Sequence, residues 1–151
     1  MLFRSVQITE NEIVISEQVQ FDVDKATIKK VSDGLLDEVA SVLKEHPEIL
    51  RVEVQGHTDN SGTPEHNKIL SEQRAEAVRA WLVQHGVNSD RLVARGYGQE
   101  KPLVPNVTAG NRARNRRVQF IILEKAGEAP AGGAGAAPGA GPRKPNPLPG
   151  F

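Results

Sequence analysis

The chain has 151 residues, 19 basic and 19 acidic side chains, a formal net charge of zero and no cysteine. This length fits about one domain, and neutrality argues against bulk electrostatic capture of nucleic acid or of an anionic membrane. The lack of cysteine excludes disulfides, thiolate metal sites and thiol nucleophiles. No stretch reaches the roughly 18 to 20 apolar residues of a transmembrane helix, and the first residues do not have the basic and apolar regions of a signal peptide. We therefore expect either a cytosolic protein or a fragment of a longer one.

The composition changes sharply near residue 126. Of the 26 residues from 126 to 151, 20 are Ala, Gly or Pro. Such a segment has too little apolar surface to offset the entropy lost on ordering, which predicts a disordered tail. Residues 1–125 are predicted to form the globular domain.

Apolar and polar residues alternate in three short runs at the start of the domain, which predicts half-buried strands. The runs carry Val6 and Ile8, Ile13 and Ile15, and Val19 and Phe21. Segment 9–12 is suited to a hairpin turn between the first two. A fourth strand is predicted at 50–54, where apolar and charged residues alternate again.

Two helices are predicted between the strands. The first has Ser32 as a candidate N-cap, with a hydrophobic staple between Val31 and Leu36. Its apolar stripe is Leu35, Val39, Val42 and Leu43. The second begins at an N-cap Thr63 followed by Pro64 and ends before Gly86; its apolar face carries Leu70, Val78, Trp81 and Leu82.

Two last strands are predicted at 92–97 and 118–123. The order of elements predicts an α+β fold, a two-layer β-α-β-α-β-β sandwich with two main helices packed on one mixed sheet. The helices are suited to crossovers between parallel strands.

The loop Gly56-His-Thr-Asp-Asn-Ser-Gly62 joins a strand to a helix, where α/β proteins build sites. Its glycines permit a tight turn and the close approach of a ligand. Asp59 lies in this loop, and a carboxylate there needs a cation, a hydrogen-bond donor or a ligand amine.

Arg74 shares a helix face with Asn67, Leu70 and Val78, and an arginine among apolar residues usually has a partner. On helical pattern alone, an internal salt bridge to Asp59 or an arginine snorkelling past the edge of the core is the favoured interpretation. A ligand contact is the alternative.

Four arginines stand within six residues of the segment 111–118. They suit bidentate binding of carboxylate or phosphate, or else a solvated basic loop that enters the last strand. We do not expect nucleic-acid binding, because the domain is neutral and aromatic residues are sparse.

His57, Asp59 and His66 are residue types that bind zinc, and they suggest a metal-dependent hydrolase as one alternative. His-x-Asp is a weak signal, and the sequence has no His-Glu-x-x-His, Gly-x-Ser-x-Gly or P-loop motif. We therefore expect no metal site. Residues 96–98 are predicted to form a turn at a strand end.

The spacing of five motifs resembles the OmpA-like peptidoglycan-binding domain over residues 13–125. The motifs are Val19-Gln-Phe-Asp22, Gly56-His-Thr-Asp59, Asn67-x-x-Leu-Ser-x-x-Arg-Ala75, Gly96-Tyr-Gly98 with Pro102, and Asn115-Arg-Arg-Val118. The resemblance implies a non-enzymatic domain without cofactor, which binds the diaminopimelate residue of the peptidoglycan stem peptide. It also implies a periplasmic location at the outer membrane or cell wall. An assembly module of a stator or secretion complex, with envelope proteins as partners, is the alternative on the same fold.

The resemblance assigns the ligand-holding roles to Asp59 and Arg74. It adds further contacts at Phe21, Asp22, Thr58, Asn67, Leu70 and Arg116. The side-chain end of diaminopimelate carries an ammonium and a carboxylate on one carbon, so Asp59 suits the first group and Arg74 the second. With the resemblance included, an internal Asp59–Arg74 salt bridge becomes the less favoured interpretation.

Overall fold

The computed structural model describes residues 6–127, so residues 128–151 of the predicted tail 126–151 lie outside the described residues. The elements, in chain order, are β1 Val6–Ile8, β2 Glu12–Ile15, α1 Asp33–Glu45, β3 Ile49–His57, α2 Pro64–Gln84, β4 Leu92–Gly98, α3 Ala109–Asn115 and β5 Arg117–Lys125. Short 3₁₀ turns at Lys30–Ser32 and Ser89–Arg91 precede α1 and β4.

The five strands form one mixed sheet in the order β1-β2-β5-β3-β4. β3 and β4 are parallel neighbours, and α2 is the crossover between them. β2 and β3 are both antiparallel to β5 and therefore run in the same direction, so α1 is a crossover as well. The predicted fold class, with its mixed sheet and two main helices, is confirmed.

The core lies between the two long helices and one face of the sheet. The predicted stripe of α1 is buried there, with Val39 and Leu43 fully inaccessible to solvent. Val52 and Val54 of β3 and Phe120 of β5 meet it from the sheet. Each such side chain contributes about 1.5–3 kcal/mol by its removal from water, and this packing fixes the position of α1 over the strands.

Paired glycines let α2 approach the sheet closely. Gly56 of β3 and Gly96 of β4 are register partners. A Cβ at Gly56 would overlap the Ser71 carbonyl oxygen, and one at Gly96 would overlap the Glu72 amide nitrogen and the Ser71 hydroxyl. That hydroxyl accepts a hydrogen bond from the Gly98 N–H at 2.9 Å. Gly56 and Gly96 therefore have no room for a side chain, because the backbone of α2 occupies the space.

The predicted strand at Val19–Phe21 is not formed. Phe21 makes only an isolated bridge to Ile28. Backbone hydrogen bonds from Asp22 N to Thr27 O at 3.0 Å and from Lys29 N to Gln20 O at 2.8 Å close the segment on itself. The segment therefore forms an internally bonded loop, and its apolar residues Val19 and Phe21 pack against the core.

The helix ends follow the prediction at α2 and depart from it at α1. Thr63 Oγ1 accepts from the His66 N–H at 3.1 Å, and Gly86 adopts φ +102° after the helix. Ser32 precedes α1, but its hydroxyl accepts from the Gln20 N–H at 2.8 Å and makes no cap bond. Val31 is 66% exposed, so the staple is absent too.

The first part of the arginine-rich segment 111–118 lies in a short helix, α3, and Arg117 begins β5; a solvated loop was one of the two alternatives for this segment. Thr108 Oγ1 caps it by accepting from the Asn111 N–H at 3.0 Å. Asn115, at its end, is completely buried and bonds to the backbone of Leu103 and Val104. This asparagine fastens the loop before α3 to the start of β5.

Candidate functional site

A cleft of about 960 Å³ opens where β3 ends. Its walls are the first half of α2, the loop 18–24 and the junction between α3 and β5. The sequence-predicted residues found on these walls are Phe21, Thr58, Asp59, Asn67, Leu70, Arg74 and Arg116. Asp22 is not on the walls, but its backbone carbonyl accepts a hydrogen bond from Arg74. The topology thus brings together residues that are up to 95 positions apart.

Asp59 is the buried anion of the cleft, with 4% of its surface exposed. One carboxylate oxygen accepts from the Ser61 N–H at 2.8 Å, and the other forms an ion pair with the Arg116 guanidinium. Burial raises the pKa of Asp59, but the hydrogen bonds from Ser61 and Arg116 outweigh it and hold the pKa below its ordinary value. The group is therefore ionised at neutral pH.

Arg74 of α2 is half-buried and bonds to neutral groups. Its Nε donates to the Lys25 carbonyl at 2.7 Å and its Nη2 to the Asp22 carbonyl at 3.2 Å. The guanidinium lies 4.8 Å from the centre of the Phe21 ring, a cation–π contact. Burial is the main cause that lowers the pKa of Arg74; the charge of Asp24 raises this pKa, and that of Arg116 lowers it. The guanidinium nonetheless remains charged.

The internal salt bridge between Asp59 and Arg74 is not formed. Among residues 6–127, the salt-bridge partner of Asp59 is Arg116, and Arg74 has no carboxylate within 4.0 Å. The reason lies in the strand register: His57 pairs with Arg117, so Asp59 and Arg116 leave the sheet side by side. Arg74 lies on α2 and bonds instead to the backbone carbonyls of Asp22 and Lys25.

Thr58 and Asn67 support the Asp59 loop. The Thr58 hydroxyl donates to the Asp59 carbonyl at 2.9 Å, and its N–H donates to the Gly98 carbonyl at 2.8 Å. Asn67 Nδ2 donates to Gln99 Oε1 at 2.8 Å and also reaches the Asp59 carbonyl at 3.3 Å. Both side chains are buried, so their polar groups hold Asp59 in place.

Two features of the cleft were missed by sequence reasoning. His66 Nε2 and Asp24 Oδ1 are 2.8 Å apart and connect α2 to the loop 18–24. Asp24 has a positive φ of 56°, which an isolated aspartate in a sequence does not signal. The buried Arg117 also lies on the wall, and the basic cluster 111–118 was its available signal.

His57 is buried and faces a different set of partners from Asp59. Its Nε2 is 3.0 Å from Gln55 Oε1, and its ring stacks on Tyr97 at 5.3 Å. Burial, with the nearby charges of Arg117 and Lys101, lowers the pKa of His57 to about 3. Within residues 6–127 no group of three or more His, Cys, Asp and Glu side chains is placed to hold a metal ion.

The fold and the cleft define a class of protein: a two-layer α+β domain with a charged pocket at the end of a central strand. The sequence model of the OmpA family matches residues 20–116, and the chain belongs to this family. The part of the chain that the structure describes contains no helix long and apolar enough to cross a membrane.

Three similar proteins are informative. Outer membrane porin F of Pseudomonas aeruginosa is 44% identical over 109 residues, which are 72% of this chain and 31% of the porin. The peptidoglycan-binding protein ArfA of Mycobacterium tuberculosis is 38% identical over 104 residues, or 69% of this chain and 32% of ArfA. The crystal structure of the peptidoglycan-associated lipoprotein from Burkholderia pseudomallei superposes with a TM-score of 0.63 and 36% identity, covering 70% of this chain and 90% of that one. The chain thus spans about a third of the length of the two curated relatives.

Proposed function

We propose that this chain is a non-enzymatic anchor domain that binds peptidoglycan through the diaminopimelate residue of the stem peptide. One observation carries the proposal: a buried, ionised Asp59 and a half-buried Arg74 without a carboxylate partner lie on one cleft. A half-buried guanidinium bonded only to neutral oxygens is suited to take up an anion. The pair suits a ligand that carries both charges.

The side-chain end of diaminopimelate is such a zwitterion. Its ammonium would bind the Asp59 carboxylate, and its carboxylate would bind the free N–H groups of the Arg74 guanidinium. Because Arg116 already occupies one Asp59 oxygen, the ammonium either shares the carboxylate with Arg116 or displaces it. Phe21 and Leu70 supply the apolar part of the walls for the methylene chain.

The names of two relatives support a cell-wall role, since one is called peptidoglycan-binding and the other peptidoglycan-associated. In this proposal the domain, residues 1–125, anchors an envelope protein to the wall in the periplasm. A weak single site is sufficient, because the wall presents many copies of the ligand and multivalency increases retention.

Co-sedimentation with purified sacculi tests the proposal. We expect the wild-type chain to sediment with diaminopimelate-containing sacculi, and the variants Asp59→Asn and Arg74→Gln to remain largely in the supernatant. Removing one member of a charged contact costs about 2–5 kcal/mol, which exceeds 10-fold in affinity. Arg114→Gln is the matched control, since Arg114 is exposed on α3 and lies outside the cleft walls.

Variants of Asp59 and Arg74 that sediment as well as wild type would contradict the site assignment. A folded wild-type chain that does not sediment with sacculi would contradict the binding function. The alternative function, an assembly module of an envelope complex on the same fold, would then be favoured.

A further inference from the structure

Helices α1 and α2 cover one face of the sheet, and an apolar patch lies on the opposite face. Ile13, Val54 and Phe120 point into the core under the helices, so their neighbours along each strand point away from it. The apolar side chains that point away from the core form one patch across the strands; they are Val14, Val93, Ile121 and Leu123. Val14 is 38% exposed and Leu123 is 43% exposed. We call this surface, on the side of the sheet away from α1 and α2, the open face.

The acidic side chain in the middle of the patch is already satisfied. Glu53 lies between Ile121 and Val93 in the strand register and is only 7% exposed. Its carboxylate accepts hydrogen bonds from the Tyr97 hydroxyl at 2.9 Å and from Gln55 Nε2 at 2.7 Å. The centre of the open face therefore presents mainly apolar atoms to solvent.

Opposite charges flank the patch on its two sides. Glu10, in the turn between β1 and β2, and Glu12 of β2 lie on one side. Arg51 of β3 and Arg95 of β4 lie on the other side, and the Arg95 side chain is 64% exposed. The open face thus has an acidic half and a basic half, with β5 between them.

We propose that the open face binds the open face of a second copy of this chain, with the two-fold axis parallel to β5. A two-fold interface places the same surface of each copy against the other. An axis along β5 sets the basic half of one copy over the acidic half of the other, and it sets Ile121 and Leu123 against their counterparts. An axis across the strands would set arginines against arginines, and like charges across an interface are unfavourable.

The size of the open face indicates a weak dimer. Strands about 4.8 Å apart, with a rise of about 3.3 Å per residue, give this sheet roughly 500 Å² on each face. A stable interface buries about 800 Å² per partner, and smaller ones are typical of transient association. We therefore expect a dissociation constant of about 10–300 µM.

The axis also fixes the direction of the two clefts. Rotation about an axis parallel to the strands leaves both copies of β3 running in the same direction, so both clefts open at the same end of the dimer. Under the proposed function, such a dimer would engage two stem peptides of one wall, the second at a high effective concentration. The dimer itself requires no ligand, so the inference does not rest on that function.

Sedimentation equilibrium of the full chain, from about 10 µM to about 1 mM and without wall material, tests the proposal. We expect the weight-average mass of wild type to rise toward twice the monomer mass. Leu123→Lys should remain monomeric, because it places two cations at the axis. Val107→Lys is the matched control, since Val107 is 73% exposed in the loop before α3; it should dimerise as wild type does. Circular dichroism verifies that each variant is folded.

A charge exchange tests the orientation of the two copies. Arg51→Glu and Glu10→Arg should each weaken self-association by at least about fivefold, since each sets like charges across the interface. Both residues are exposed, so neither change disturbs the core. The double variant should return to within about twofold of the wild-type dissociation constant, because the opposite charges face each other again.

A wild-type chain that stays monomeric at about 1 mM overturns the proposal, and the open face is then left to residues 128–151 or to a different partner. Self-association that Leu123→Lys does not reduce also overturns it, because the contact then lies on another surface. A double variant that associates no better than the single variants overturns the proposed orientation.

Discussion

Replacing Gly96 by alanine tests how α2 is held against the sheet. The added methyl group would overlap the Glu72 amide nitrogen and the Ser71 hydroxyl, and part of this obstruction is helix backbone that no rotamer change relieves. Overpacking of this kind costs about 1–3 kcal/mol. The free energy of unfolding should fall by that amount in urea denaturation, with the m-value unchanged.

The same substitution should weaken binding to sacculi. The close approach at Gly96 sets the distance between α2, which carries Arg74, and the end of β3, which carries Asp59. Gly34→Ala is the matched control, because Gly34 lies in α1 and a Cβ there meets nothing within 4 Å. That change should stabilise the chain by roughly 0.5–1 kcal/mol through helix propensity. A Gly96→Ala variant as stable as wild type would refute the glycine-contact reasoning.

Three further substitutions test the polar interior. Asn115→Ala should lower the free energy of unfolding by about 1–3 kcal/mol in urea, because it removes a fully buried amide and leaves part-buried backbone groups of Leu103 and Val104 without their partner. His57, with its pKa lowered to about 3, should stay neutral in an NMR titration down to pH 5, and a protonated His57 at pH 5 would contradict the burial argument. The free energy of unfolding should fall as the pH drops from 6.5 toward 3, because in that range only the unfolded chain takes up the proton. His57→Gln should remove the part of this slope that comes from His57. Arg116→Gln should raise the pKa of Asp59 in a carboxyl NMR titration, because the variant loses a hydrogen bond and a positive charge; an unchanged pKa would count against the ion pair. In wild type the stability contributed by Asp59 is present above the ordinary pKa of 3.8 and is lost as the pH falls through its lower folded-state value.

Periodicity and capping chemistry predicted the elements whose causes are local. The hairpin of β1 and β2, the buried stripe of α1 and the Thr63 cap of α2 all follow from residues within a few positions of one another. The predictions that failed depended on distant partners. The Ser32 hydroxyl bonds 12 residues away to Gln20 rather than to its own helix, and no local pattern encodes such a choice.

The sequence motifs named residues that the structure places on one cleft, but they did not indicate how these residues pair. Motif spacing named the residues that line the cleft, whereas the partner of Asp59 depends on the antiparallel register of β3 and β5. That register places Arg116, which is 57 positions away, beside the carboxylate. Arg74, the nearer arginine in sequence, is directed to the carbonyls of Asp22 and Lys25.

The ion pair between Asp59 and Arg116 affects both the folding of the empty domain and the strength of the proposed binding. A buried carboxylate without a counter-charge would destabilise the folded chain by several kcal/mol, so the internal arginine lets the domain fold before it meets a ligand. In the proposed binding, a ligand ammonium replaces Arg116 as the partner of Asp59, so the gain in binding free energy is only the difference between the two ionic contacts. Under the proposed function, a small net gain at each site shortens each attachment, so a bound domain would pass from one stem peptide to the next and rely on many sites for retention.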